Sequence, residues 1–99
     1  MNQTKVAPGQ IWVKVTDEKL WGIMNKDYII NGREIVIQEL RPNKNNPTLW
    51  TFKYLSEMSN SFAYTWNAWK EEELIENFKL LGTLSKLEKI IFNIKEIDT

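Results

Sequence analysis

The hydrophobic period of this chain changes once, and that change limits the folds open to it. Between Gln10 and Trp66 apolar residues recur mostly at every second position; from Leu74 onward they recur at every third or fourth. A period of two puts alternate side chains on opposite faces of a strand, and a period near 3.6 gathers them on one face of a helix. Strands first and helices afterwards argue against alternating parallel strands and crossover helices, and for an α+β fold. The length of 99 residues fits a single domain over 1–99, with a β-barrel part at 8–66 and a C-terminal helical segment at 68–97.

Within the first part, residues 1–8 form a short polar arm ending at Pro8-Gly9. Gln10 to Val15 alternates, with Ile11, Val13 and Val15 opposite Trp12 and Lys14, and predicts a strand with one buried face. Thr16 to Lys19 is a polar turn, Leu20 to Met24 a second strand, and Asn25-Lys26-Asp27 a break. Tyr28-Ile29-Ile30-Asn31-Gly32-Arg33-Glu34-Ile35-Val36-Ile37 is the clearest local signal. Asn-Gly between β-branched runs predicts a two-residue type I′ hairpin turn, because both central residues need φ > 0. The next strand runs to about Leu40, and the Pro- and Asn-rich stretch from Pro42 to Pro47 is a loop. Thr48 to Leu55 carries Trp50, Phe52 and Tyr54 on one face; after a turn at Ser56–Asn60, Ser61 to Trp66 carries Phe62, Tyr64 and Trp66. The two strands predict a hairpin with an aromatic ladder across it.

Leu74, Ile75, Phe78 and Leu81 recur at helical spacing, with Glu71, Glu72 and Glu73 in the first turn, where the helix dipole favours carboxylates. Asn67 is the expected N-cap and Gly82 the expected stop. Leu84, Leu87, Ile91 and Ile94, widened by Ile90 and Ile97, predict a second helix, and Ser85-Lys86-Leu87-Glu88 fits a capping box. The β-branched density from Ile90 to Ile94 is also compatible with a final strand. The expected fold is therefore α+β: a small antiparallel barrel or bent sheet of five to six strands, followed by one or two C-terminal helices.

The inventory of side chains closes off much chemistry. The chain has no Cys and no His, which excludes disulfides, thiol nucleophiles, an imidazole base and the common zinc ligands. The four glycines stand apart at 9, 22, 32 and 82, so there is no phosphate-cradling loop. The acidic groups Glu71–Glu73, Asp17-Glu18 and Glu34 with Glu39 are read as a helix start, a turn and solvated strand faces rather than acid–base pairs. The chain is thus expected to be non-enzymatic, with no cofactor and no catalytic or metal-binding residues. Thirteen basic and thirteen acidic side chains leave a formal net charge of zero, unlike a broadly basic nucleic-acid binder. No apolar run reaches the ~20 residues of a membrane span. The segment from Met1 to Lys5 lacks a signal-peptide core, so the expected location is the cytoplasm. Ten Asn, 11 Lys and 11 Ile against 2 Arg and 3 Ala point to an AT-rich genome, a bacterium's or a phage's.

Candidate interaction residues follow from what is left. The loop holding Arg41, Lys44, Asn45 and Asn46 is long for a hairpin connection, and such loops often carry recognition. Trp12, Trp21 and Trp69 exceed what one small core needs, and exposed Trp is enriched at binding hot spots, which selects Trp21 and Trp69. The ladder containing Trp50 is either the barrel core or a platform for stacking single-stranded bases, with Lys44 and Lys53 tracking phosphates. The face opposite the rings carries Thr51, Lys53, Ala63 and Thr65, which makes the aromatic face the natural one to bury.

Pro8-Gly9-Gln10-Ile11-Trp12 at the start, with Trp69 and Glu72-Glu73-Leu74-Ile75-Glu76-Asn77-Phe78-Lys79-Leu80-Leu81 at the end, resembles short SH3-like barrel proteins of phages and low-GC bacteria. Those begin with a PGQ[IV]W strand and close with an EELxxNFxLL helix; the resemblance covers residues 8–82. It implies a phage or mobile-element protein that binds a host protein, in the style of anti-defence inhibitors such as anti-CRISPR proteins, acting in the host cytoplasm. The alternatives to that reading are a single-stranded nucleic-acid-binding module using the aromatic strand face and a host adaptor domain; the apolar stripe of the C-terminal helix also offers a homodimer contact.

Overall fold

The structure, a computed structural model, describes residues 6–20, 28–40, 44, 49–58 and 69–94. The elements are β1 (Gln10–Lys14), β2 (Glu34–Leu40), β3 (Leu49–Tyr54), a 3-10 turn (Leu55–Glu57), β4 (Trp69–Lys70), α1 (Glu71–Asn77), β5 (Phe78–Thr83) and α2 (Lys86–Ile91). The strands make one antiparallel sheet in the order β4-β3-β2-β1-β5, four full strands with the two-residue β4 at one edge. This is a small α+β protein. Among the described residues the sheet is open, with β4 and β5 at its two ends, so the closed barrel is not formed. The reason is local: β4 contributes only two residues before α1 begins at Glu71, and the backbone there turns into helix instead of reaching β5. Two ladders carry register shifts, at Ile11/Trp12 between β1 and β5 and at Ile37/Glu39 between β2 and β3.

β2 explains the architecture. Its run Ile35-Val36-Ile37 does not alternate with polar residues, and all three side chains are fully buried, as in a strand covered on both faces. One face packs Ile35 and Ile37 with Trp12, Trp50, Phe52, Tyr54, Leu74 and Phe78. The other packs Val36 with Met58 and Leu84, joined by Ile11, Leu55, Phe92 and Ile94. α1 thus supplies Leu74 to one core, while Leu84 and Phe92, on either side of α2, belong to the other.

Of the expected helical segment at 68–97, the described residues 69–94 are helical only in part. α1 stops at Asn77, and Phe78–Thr83, including the expected helix stop Gly82, form β5 along the edge of β1. Asn77 anchors the change of direction. Its Nδ2 donates to the Glu73 carbonyl at 2.9 Å, its Oδ1 accepts from Thr16 Oγ1 at 2.7 Å, and its carbonyl accepts from Val15 N–H at 2.9 Å. The N-cap is Lys70, whose N–H donates to Glu73 Oε1 at 3.1 Å; Asn67 lies outside the described residues. α2 has the expected capping box: Glu88 N–H donates to Ser85 Oγ at 3.1 Å and Ser85 N–H to Glu88 Oε1 at 2.9 Å. Ile90 and Ile91 are helical and Asn93 has φ 55°, so no strand begins there, and residues 95–97 are outside the described set.

The Asn31-Gly32 turn exists in a different form. Arg33 N–H donates to the Ile30 carbonyl at 3.1 Å, and Gly32 has φ +93° while Asn31 does not have positive φ. Positive φ at the second central residue alone marks a type II turn rather than type I′. The twist-matching that favours type I′ needs two paired flanking strands, and here Tyr28 makes a single bridge before the turn. The turn docks on the end of β1 instead: Gly32 N–H donates to the Lys14 carbonyl at 2.8 Å, and Lys14 N–H to the Arg33 carbonyl at 3.0 Å. Leu20 is in no strand. The expected strands at residues 21–24 and 61–66 fall outside the described residues, as does the 41–47 loop apart from Lys44.

Candidate functional site

Of the seven residues selected from sequence, Trp21, Arg41, Asn45 and Asn46 lie outside the described residues. Lys44 is exposed at a bend. Trp69 lies in β4, where its backbone pairs with Trp50. Trp50 is 4% exposed and belongs to the core with Phe52 and Tyr54. The described half of the aromatic ladder is therefore core, the burial that the polar opposite face implied, and Trp50 drops out as an interaction residue because its ring offers no face for stacking. Its Nε1 has no hydrogen-bond partner among the described residues. Trp12 is also buried, with Nε1 donating to Gln10 Oε1 at 3.0 Å.

Among the described residues, an apolar helix face and a cleft stand out at the surface. The first is the outer face of α2. Ser85 and Glu88 start the helix, and Leu84, Phe92 and Ile94 fix it over the sheet from either end. Leu87, Ile90 and Ile91 then point away from the sheet and are 66%, 70% and 64% exposed. Their spacing of three and four residues makes them neighbours on one helix face. The helical pattern from Leu84 to Ile97 showed the stripe in sequence; it did not show which part would face solvent. Lys86 is exposed beside it, and Lys89 lays its stem against Gly9, where an added Cβ would meet Lys89 Cε at 2.7 Å.

The second is a cleft of about 310 Å³ beside the end of β1, lined in part by Lys14, Asp17, Lys19, Tyr28 and Ile30. Lys14 is 1% exposed and donates from Nζ to the Thr16 carbonyl. Burial lowers its pKa from 10.5, opposed by the nearby charges of Asp17 and Glu18. Sequence alternation put Lys14 opposite the apolar Ile11 and Val13 and gave no sign that it would be the more buried. Lys19 Nζ lies 5.5 Å from the Tyr28 ring centre, and the Arg33 guanidinium 3.4 Å from that of Tyr54. Among the described residues no cluster of three or more acidic side chains could hold a metal ion. No helix among them is long and apolar enough to cross a membrane.

Comparisons with protein-family models, with curated proteins and with solved structures find no match to this chain.

Proposed function

We propose that this protein is a non-enzymatic binding module that docks on a partner protein through the outer face of α2. The observation that carries the reading is the exposure of Leu87, Ile90 and Ile91 side by side on a helix held in place by its own cap and by the second core. An apolar patch on a fixed element gains by being covered, and such patches mark interaction sites. The basic side chain of Lys86 at its margin favours a partner whose apolar site has an acidic rim. The wider reading, a phage or mobile-element inhibitor of a host protein with an SH3-like body, rests on the resemblance of Pro8–Trp12 and Glu72–Leu81 to those proteins. Stacking of single-stranded bases is disfavoured by the burial of Trp50, Phe52 and Tyr54 and by the zero net charge.

The test uses the double variant Leu87→Asp, Ile90→Asp, which alters exposed side chains and is expected to keep the wild-type denaturation midpoint. Protein captured from a nuclease-treated host lysate by the wild type is expected to be lost with this variant. Capture unchanged by the variant overturns the docking face. Self-association of the wild type in sedimentation equilibrium, abolished by the variant, replaces the foreign partner with a second copy. Salt-sensitive oligonucleotide binding that survives the variant replaces it with nucleic acid.

A further inference from the structure

The Asn31-Gly32 turn borders the cleft at the end of β1, with Asn31 among the residues that line it. Both residues are exposed, and an added Cβ at Gly32 would meet nothing within 4 Å. Asparagine followed by glycine is the pair in which a backbone nitrogen most easily reaches the preceding side-chain amide, because glycine has no Cβ to obstruct the approach. Two contacts in the fold oppose that approach. Gly32 N–H donates to the Lys14 carbonyl at 2.8 Å, and Asn31 Nδ2 donates to Asp17 Oδ1 at 3.5 Å. The nitrogen attacks only after losing its proton, and an N–H held by a carbonyl both keeps its proton and points away from the side chain.

We propose that Asn31-Gly32 is a conformation-gated deamidation site, closed while the turn is docked on the end of β1 and open when that contact breaks. In the open state the deprotonated Gly32 nitrogen bonds to Asn31 Cγ. The Cγ–Nδ2 bond breaks, ammonia leaves with the protons it needs from solvent, and a succinimide ring forms. Water then cleaves one of the two ring carbonyl–nitrogen bonds, leaving aspartate or isoaspartate. Water is the only co-reactant, and nothing is oxidised or reduced.

The products resist re-docking. A carboxylate replaces the Asn31 donor that faces Asp17, so two like charges meet where a hydrogen bond stood. Isoaspartate also adds a methylene to the main chain beside the Gly32 N–H that binds Lys14. A reversible local opening is thereby converted into a permanent mark, and the modified turn records how often β1 and the turn have separated.

The full chain is incubated at mildly alkaline pH, native and in denaturing urea, beside a peptide spanning Ile30 to Glu34. Peptide mapping follows conversion of Asn31 to acid, and amide exchange of Gly32 is measured on the native chain. Native deamidation is expected to be at least about tenfold slower than in the unfolded chain and the peptide, with the Gly32 amide protected from exchange. Equal rates in native and unfolded chains overturn the gate. An unprotected Gly32 amide overturns it as well, because the contact with Lys14 would not be holding the nitrogen. Absence of deamidation in the unfolded chain overturns the site itself.

Discussion

At the scale of single residues, two glycines carry similar backbone angles for different reasons. Gly9 has φ +87° and Gly32 φ +93°. Gly9 joins three parts of the molecule: its N–H donates to Ile37 at 2.8 Å, its carbonyl accepts from Leu84 at 2.9 Å, and Lys89 Cε fills the space a Cβ would need, at 2.7 Å. Gly32 faces open space, so a side chain there meets only the conformational penalty. Each replacement by Ala is expected to cost about 1–3 kcal/mol for the forced positive φ, and Gly9→Ala is expected to cost more because Lys89 must also move. Gly32→Asn is expected to cost less than Gly32→Val, since Asn tolerates this region and a β-branched residue does not. Urea denaturation midpoints decide. If Gly9→Ala and Gly32→Ala give equal midpoints, the Lys89 contact contributes nothing. Pro8-Gly9 was visible in sequence as the end of an arm; that Gly9 is a three-way junction was not, because its partners lie far along the chain.

At the scale of elements, α2 and the α1–β5 pair show opposite degrees of legibility. Ser85 and Glu88 cap α2 as their spacing implied, since a capping box closes within four residues and needs no distant partner. Ser85→Ala is expected to lose about 1 kcal/mol, the usual worth of an N-cap hydroxyl, and to release the Glu88 amide to faster exchange. Hydrogen bonds from the Ser85 backbone and side chain hold the Glu88 carboxyl below its ordinary pKa of 4.5. The folded state thus binds this proton less readily than the unfolded state, so the capping contribution is complete above pH 4.5 and declines as pH falls through the lowered value. The difference in midpoint between wild type and Ser85→Ala should therefore shrink in acid; a difference that grows there would contradict the cap. The stretch from Phe78 to Leu81 misled because Leu74, Ile75, Phe78 and Leu81 happen to fit helical spacing. Its burial alternates along the strand, and the free edge of β1 supplies a ladder that no local pattern announces.

At the scale of the whole molecule, the sheet has a core on each side, and the C-terminal residues complete the second one. A chain ending at Gly82 would remove Leu84, Phe92 and Ile94 from Val36 and Met58. It is expected to lose at least about 2 kcal/mol, the burial of one large aliphatic side chain, read as a lower urea midpoint. An unchanged midpoint would mean that the second core does not contribute. Local residues suffice to place β1, β2 and β3, the position though not the type of the turn at Asn31-Gly32, the cap at Ser85 and the acidic start of α1, and they show the lack of Cys and His. Each of these is encoded in neighbouring residues, through periodicity, backbone preference or side-chain inventory. Tertiary structure alone decided that the sheet stays open, that residues 78–83 become a strand, that Lys14 is buried and that Leu87, Ile90 and Ile91 face solvent. Those outcomes depend on which edge is left unpaired and which face finds another to cover it. An amphipathic pattern names a surface to be buried, and only the arrangement of the other elements determines whether it is.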